Sequence, residues 1–259
     1  MPFFKFQNKN IHYKTEGSGE VVVLLHGFLE NESMWDEITK NLYKTKQVIR
    51  LDFPGFGESE YIEDLTSMES FADCTLQLLN KLNINSWSLI GHSMGGYIAL
   101  ELCKLFPRKI KHLILFHSSA KSDTESKKKD RDRAIKAVFE KKKVYLKTVI
   151  PFLFPEQLQN SCSEFIQKMI TKANLLDPKG ITTAIGAMKN RKNNCELVQS
   201  LNCKKTYIAG NLDPLLPIEN LKKEAIANGA DFIEIKNTGH MSHWENAEMA
   251  VEEIKKLLC

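Results

Sequence analysis

A chain of 259 residues, 42% of them hydrophobic and 26% charged, has a globular composition, which excludes a disordered chain and leaves ample apolar material for a core. The length fits one α/β domain with an insertion or two smaller domains. A net charge of +4 is too small an excess to indicate a nucleic-acid partner, and none is expected. The opening Met1-Pro2-Phe3-Phe4-Lys5-Phe6-Gln7-Asn8 lacks the apolar core and cleavage site of a signal peptide. Runs such as Val21–Leu25 and His112–Phe116 fall far short of the ~18–20 apolar residues that span a bilayer. A cytoplasmic protein with no membrane association is expected.

In chain order, Phe3–Gln7 and Ile11–Thr15 read as two short strands joined by a turn at Asn8-Lys9-Asn10. Val21–Leu25 is a continuous β-branched and aliphatic run, the pattern of a strand buried on both faces. Similar runs follow at Gln47–Leu51, Trp87–Ile90, Ile110–Phe116, Thr206–Ala209 and Phe232–Ile235. Between them Ser33–Tyr43 and Met68–Leu82 are amphipathic helical patterns, and Met94–Phe106 is apolar almost all round, as in a buried helix. A last helix sets Ala247, Ala250, Val251, Ile254, Leu257 and Leu258 at helical spacing. Alternating strands and helices argue for an α/β fold with a largely parallel sheet covered on both faces.

Residues 121–192 interrupt the alternation with helical patterns and no convincing strand. Pro151, Pro155 and Asp177-Pro178-Lys179-Gly180 punctuate them. This block reads as a helical cap inserted into a core made of 1–120 and 193–259. Its lysine triplets, Lys127–Lys129 and Lys141–Lys143, lack interleaved aromatics. They read as a solvated helix face rather than a patch for nucleic acid or an anionic carrier. The cysteines Cys74, Cys103, Cys162, Cys195, Cys203 and Cys259 form no CxxC pair and no metal-ligand spacing, so reduced thiols without disulfides are expected, with Cys103 inert in its buried helix.

The strongest local signal is Gly91-His92-Ser93-Met94-Gly95-Gly96, lying between a strand and a buried helix. A serine on so tight a turn holds strained angles that the flanking glycines accommodate, and the helix N-terminus favours developing negative charge. A hydroxyl needs a base to act as nucleophile at neutral pH, and the base needs an orienting acid. Asp213 follows the strand Thr206–Ala209 and His240 follows Phe232–Ile235, so a parallel sheet presents Ser93, Asp213 and His240 at one edge. The N–H groups of Phe28, just after Val21–Leu25, and of Met94 are the candidate oxyanion donors. Asp52 is expected to serve the turn Phe53–Gly57, and His26 and His92 to be buried against loop backbone. His243 is expected to pack near the last helix. His240-x-x-His243 lacks the helical register of a metal pair, so no metal is assigned, and no G-x-G-x-x-G follows a strand to suggest a dinucleotide.

The chain resembles the α/β-hydrolase family over essentially its full length, through His26-Gly27-Phe28, Asp52–Ser59, Gly91–Gly96, Asp213 and Gly239-His240. It is similar to small capped carboxylesterases, including pimeloyl-carrier-protein methyl esterases, enol-lactonases and cofactor-free haloperoxidases. The resemblance implies an eight-stranded sheet with a helical cap inserted after the sixth strand. A serine at 93, rather than an aspartate, argues against haloalkane dehalogenases and epoxide hydrolases. The combined reading is a serine hydrolase that cleaves an ester or related acyl bond of a small-molecule substrate through an acyl-enzyme, without cofactor. Carbon–carbon bond hydrolases, lyases, perhydrolases and non-catalytic ligand binders share the constellation. Phe28 and Phe116 suggest an apolar acyl pocket between cap and core, with His117 within reach of it. Phe152, in the apolar run Val149–Phe154, is a further candidate for that pocket or an anchor of the cap.

Overall fold

The computed structural model describes residues 2–258; Met1 and the thiol of Cys259 lie outside them. The strands are β1 (Phe3–Phe6), β2 (Lys9–Glu16), β3 (Glu20–Leu25), β4 (Lys46–Leu51), β5 (Trp87–His92), β6 (Ile110–Phe116), β7 (Lys204–Gly210) and β8 (Asp231–Ile235). Among the described residues they form one sheet in the order β1-β2-β4-β3-β5-β6-β7-β8. Only β2 pairs antiparallel to its neighbours, so β3 to β8 run parallel and deliver their following loops to one edge. The hairpin turn is Gln7-Asn8, both left-handed at φ 48° and 64°, and Lys9 and Asn10 already belong to β2. The expected turn is thus shifted by one residue, because a two-residue loop with both φ positive matches the twist of the strands it joins.

Side-chain alternation divides β3 between two cores. Val21, Val23 and Leu25 enter one, with Phe71, Leu78 and Ile98; Val22 and Leu24 enter the other, with Trp35, Ile38, Ile254 and Leu258. The first lies under α2 (Met68–Lys81) and α3 (Met94–Leu105), the second under α1 (Asp36–Leu42) and α10 (Ala247–Leu258). A sheet buried on both faces needs hydrophobic residues along its buried length, and β3 supplies them from Val21 to Leu25 after an exposed Glu20. Residues 33–43 are not one helix: Asn31 caps a 3-10 turn over Glu32–Trp35 before α1 begins. The expected buried helix is α3, whose Met94–Cys103 are all buried. Burial there pushes the Cys103 thiol well up.

Between β6 and β7 the chain is helical: α4 (Glu125–Val149), α5 (Ser163–Leu175), α6 (Pro178–Asn190) and α7 (Cys195–Ser200). Thr124 caps α4, and Asp177, followed by Pro178 at the first helical position, caps α6. Lys141 takes non-helical angles and breaks α4. Lys142 then donates to the carbonyls of Asn174 and Leu176 at 2.9 and 2.7 Å, satisfying the C-terminus of α5. The second lysine triplet is therefore not simply a solvated face. Trp244, in the short helix α9 (Ser242–Glu245), stacks on both Phe154 and Phe165, with centroids 6.4 and 5.5 Å apart, and ties this helical block to the core. The remaining helix, α8 (Ile218–Ala227), covers β7. No described helix is long and apolar enough to cross a membrane.

Candidate active site

Four non-glycine residues in the left-handed region lie in the loops at the parallel edge: Leu29 (φ 64°), Ser93 (φ 51°), His117 (φ 48°) and Asn237 (φ 56°). Ser93, between β5 and α3, takes ψ −112°, a conformation that costs of order 1–3 kcal/mol and persists only where neighbours enforce it. They do. The Ser93 N–H donates to the Phe116 carbonyl at 3.0 Å, and its own carbonyl accepts from Ser118 Oγ at 2.8 Å and Gly96 N–H at 3.0 Å. A Cβ at Gly95 would run into the Leu25 carbonyl, and one at Gly91 into the carbonyl of Gly95, so the elbow closes only with glycine at both places.

Asp213 follows β7 and is buried. Its Oδ1 accepts the N–H groups of Leu215 and Leu216 at 2.8 and 3.0 Å, which aims Oδ2 inward. Oδ2 accepts His240 Nδ1–H at 2.8 Å and His117 Nδ1–H at 3.2 Å, the protons following from the carboxylate's role as acceptor. Burial opposes ionisation of Asp213, but the two imidazoles outweigh it and hold the carboxyl well below the usual range. His117 Nε2 lies 2.6 Å from Ser242 Oγ, whose hydroxyl can donate to it. Burial pushes His117 down to about 3, so it stays neutral and serves as an orienting donor to Asp213. His117, Asp213 and His240 also bring one potential ligand atom each within 4.8 Å of one another. The hydrogen bonds converging on Oδ2 account for that closeness.

On the other side, His26 Nδ1–H donates to the Gly27 carbonyl at 2.8 Å and Nε2 accepts Phe53 N–H at 2.9 Å, fixing the loop after β3. The N–H groups of Phe28 and Met94 have no acceptor among the described residues. A buried carboxylate, Glu30, clamps this loop to the others. It lies 2.9 Å from His92 Nδ1 and accepts His243 Nε2–H at 3.1 Å, while His92 Nε2–H donates to the His240 carbonyl at 2.9 Å. Burial opposes charge on His92, yet Glu30 outweighs it and raises its pKa; burial lowers that of His243. Asp52 accepts from His12 Nδ1 and from the N–H groups of Glu32 and Glu58, so it braces the loops around Phe53–Gly57 and shares none of Asp213's hydrogen-bond partners.

Glu245 braces the loop that carries His240: its carboxylate accepts the N–H of Gly239 and, at 3.2 Å, that of Met241. Burial raises Glu245 to about 7, against the pull of those two donors. A carboxyl whose folded pKa exceeds its unfolded value stabilises the fold at low pH and loses that contribution as pH rises toward 7. The unfolding-temperature difference between wild type and Glu245→Gln should therefore move in favour of wild type as pH falls from about 8 to about 5. Calorimetric scans of both proteins over that range would show a constant difference if Glu245 did not titrate there.

A cavity of about 470 Å³ opens above these loops, lined by Phe28, Ser93 and His240 of the core and by Tyr145, Phe152 and Leu153 of the helical block, among others. Phe152 is 63% exposed and lines it, whereas Phe154 is fully buried against Trp244. Two expected pocket residues are elsewhere. Alternation along β6 sends Phe116 to the α1/α10 face, where it packs on Trp35 at 5.9 Å. His117 turns its ring beneath Asp213 and is fully buried. Lys127, read as solvated, is half-buried in the cavity wall. Sequence reasoning missed Glu30 and Glu245. The only available signals are their positions, three residues after Gly27 and five after His240.

A strained serine on a strand-to-helix elbow, a buried aspartate–histidine pair and two free N–H groups at one sheet edge are the parts required for acyl transfer. Residues 20–247 match the family described as the alpha/beta hydrolase fold, and the chain belongs to it. It is 27% identical over 212 residues to the pimeloyl-acyl-carrier-protein methyl ester esterase of Pseudoalteromonas atlantica, covering 80% of this chain and 81% of that one. It is 25% identical to the (E)-2-((N-methylformamido)methylene)succinate hydrolase of Acinetobacter baylyi, over 90% of this chain and 88% of the other. A thermophilic esterase from Thermogutta terrifontis, solved with malate bound, superposes with a TM-score of 0.91 at 28% identity, over 96% of this chain and 93% of that one.

Proposed function

We propose that Ser93, Asp213 and His240 are the catalytic triad of a serine hydrolase acting on a small-molecule carboxylic ester. The observation that carries this reading is the buried His240–Asp213 hydrogen bond at the edge where the strained Ser93 enters the same cavity as His240. Ser93 Oγ attacks the ester carbonyl while His240 Nε2 takes its proton, and Asp213 stabilises the imidazolium formed. The N–H groups of Phe28 and Met94 hold the oxyanion. Collapse breaks the bond to the alcohol, which leaves with the proton from His240. Water, deprotonated by His240, then attacks the acyl-enzyme and releases the acid and a free Ser93. The helices of 121–192 act as a cap that sets which acyl chain enters. No cofactor is required by this cycle.

Initial rates on 4-nitrophenyl esters of graded acyl length, set against acyl thioesters and lactones, test the reading. Esters should be turned over with an optimum in chain length; turnover confined to thioesters or lactones would overturn the substrate class. Within that series Phe152→Ala should shift kcat/KM between short and long acyl groups by about 1–3 kcal/mol, because its side chain faces the cavity. Phe154→Ala should instead cost about 3–5 kcal/mol of stability through its stacked contact with Trp244. Equal effects of the two variants on both quantities would contradict this division.

A further inference from the structure

We propose that Lys127, with Arg131, forms an anion-binding wall of the cavity, so that the ester hydrolysed carries a carboxylate or phosphate group besides its scissile bond. The inference rests on the hydrolase reading above and deepens it. Most of the cavity wall is apolar, yet one stretch of α4 adds Lys127, Asp130, Arg131 and Arg133 to it. Their pairing is unequal. Arg133 is matched by Asp130. Arg131 shares the fully buried carboxylate of Asp123 with Arg191, at 3.1 and 2.7 Å, so two guanidiniums meet one carboxylate. Arg191 in turn lies 4.0 Å over the ring of Tyr97, another cavity residue.

Lys127 has no carboxylate partner among the described residues, although its neighbour Lys128 pairs with Glu125 at 2.7 Å. The other carboxylate in the wall, Glu30, is committed to His92 and His243. The wall therefore holds surplus positive charge beside apolar surface, where a charge is poorly solvated and an incoming anion is bound more strongly than in water. These cations face the cavity that Ser93 enters. That placement suits a charged group on a small substrate rather than a nucleic acid or a membrane laid on the outer surface.

The test uses three 4-nitrophenyl esters of equal acyl length, ending in a carboxylate, a phosphate monoester or a neutral methyl ester. Wild-type kcat/KM should favour at least one anionic ester over the neutral one by about tenfold, a preference that falls with added salt. Preference for the carboxylate or for the phosphate identifies the group. The preference should shrink toward unity in Lys127→Gln, return in Lys127→Arg and invert in Lys127→Glu. Thermal unfolding of each variant checks that it is folded. A wild-type preference of one or less, or one that survives both Lys127→Gln and Lys127→Glu, overturns the proposal. Calorimetric titration of Ser93→Ala protein with adipate and with dimethyl adipate reads the wall without turnover. Tighter binding of adipate, weakened by adding Lys127→Gln, supports the anion site even if no ester is hydrolysed; equal binding removes it while leaving hydrolysis standing.

Discussion

Ser93→Ala is expected to lower kcat on the preferred ester by about 10⁴- to 10⁶-fold, leaving only what binding and the oxyanion donors supply. Alanine carries the same Cβ as serine and so adds no strain at φ 51°, and the bonds to Phe116, Ser118 and Gly96 that hold this conformation use backbone atoms of residue 93. The fold and the cavity should therefore persist, with an unfolding temperature close to that of wild type. The loss would then belong to the hydroxyl alone. Stopped assays at high enzyme concentration, with thermal unfolding in parallel, measure both. Activity within tenfold of wild type would contradict the mechanism.

Asp213→Asn should reduce kcat by about 10⁴-fold with little change in KM. Its two oxygens face two sets of donors: Leu215 and Leu216 N–H on Oδ1, His240 and His117 N–H on Oδ2. An amide NH₂ must face one set in either orientation and opposes donors both ways. The amide also offers no charge to the imidazolium that forms in the transition state. Asp52→Asn should instead act on stability, since Asp52 holds His12 and the N–H groups of Glu32 and Glu58. A nearly silent Asp213→Asn beside a crippling Asp52→Asn would exchange the two assignments.

Much of this architecture is legible in the sequence because hydrophobic period and loop chemistry are local. Every position of β3 from Val21 to Leu25 is apolar, and the structure buries both sets of alternating side chains. The elbow is legible for the same reason, since Gly91, Ser93 and Gly95 are close in the chain and their backbone constraints are mutual. Ser93, Asp213 and His240 each follow a strand of the parallel run, and parallel order alone gathers the ends of those strands at one edge, even though β8 is buried only at Ile235.

What was not legible depends on which way a single side chain turns. Phe116 and His117 are adjacent, and the sequence does not show that one goes through the sheet to Trp35 while the other swings under Asp213. The Glu30 clamp joins residues 30, 92 and 243, a contact between distant positions with no local signature. Lys127 shows the same limit within one helix. The three lysines of its triplet look alike in composition, yet only helical phase and the packing of α4 over the core turn Lys127 into the cavity while Lys128 pairs with Glu125. The division of labour between Phe152 and Phe154 arises from the break at Pro151, which starts a short 3-10 turn and points the two rings apart.

The most direct test of the central claim is reaction of the protein with a fluorophosphonate, followed by mass-spectrometric mapping of the adduct. An activated serine displaces fluoride and retains the phosphonyl group, whereas an unactivated hydroxyl does not react at a useful rate. A single adduct on Ser93 is predicted, formed rapidly by wild type and at least about a hundredfold more slowly by His240→Ala. Labelling at another residue, or equal rates in wild type and His240→Ala, would contradict the assignment of Ser93 as a nucleophile activated by His240.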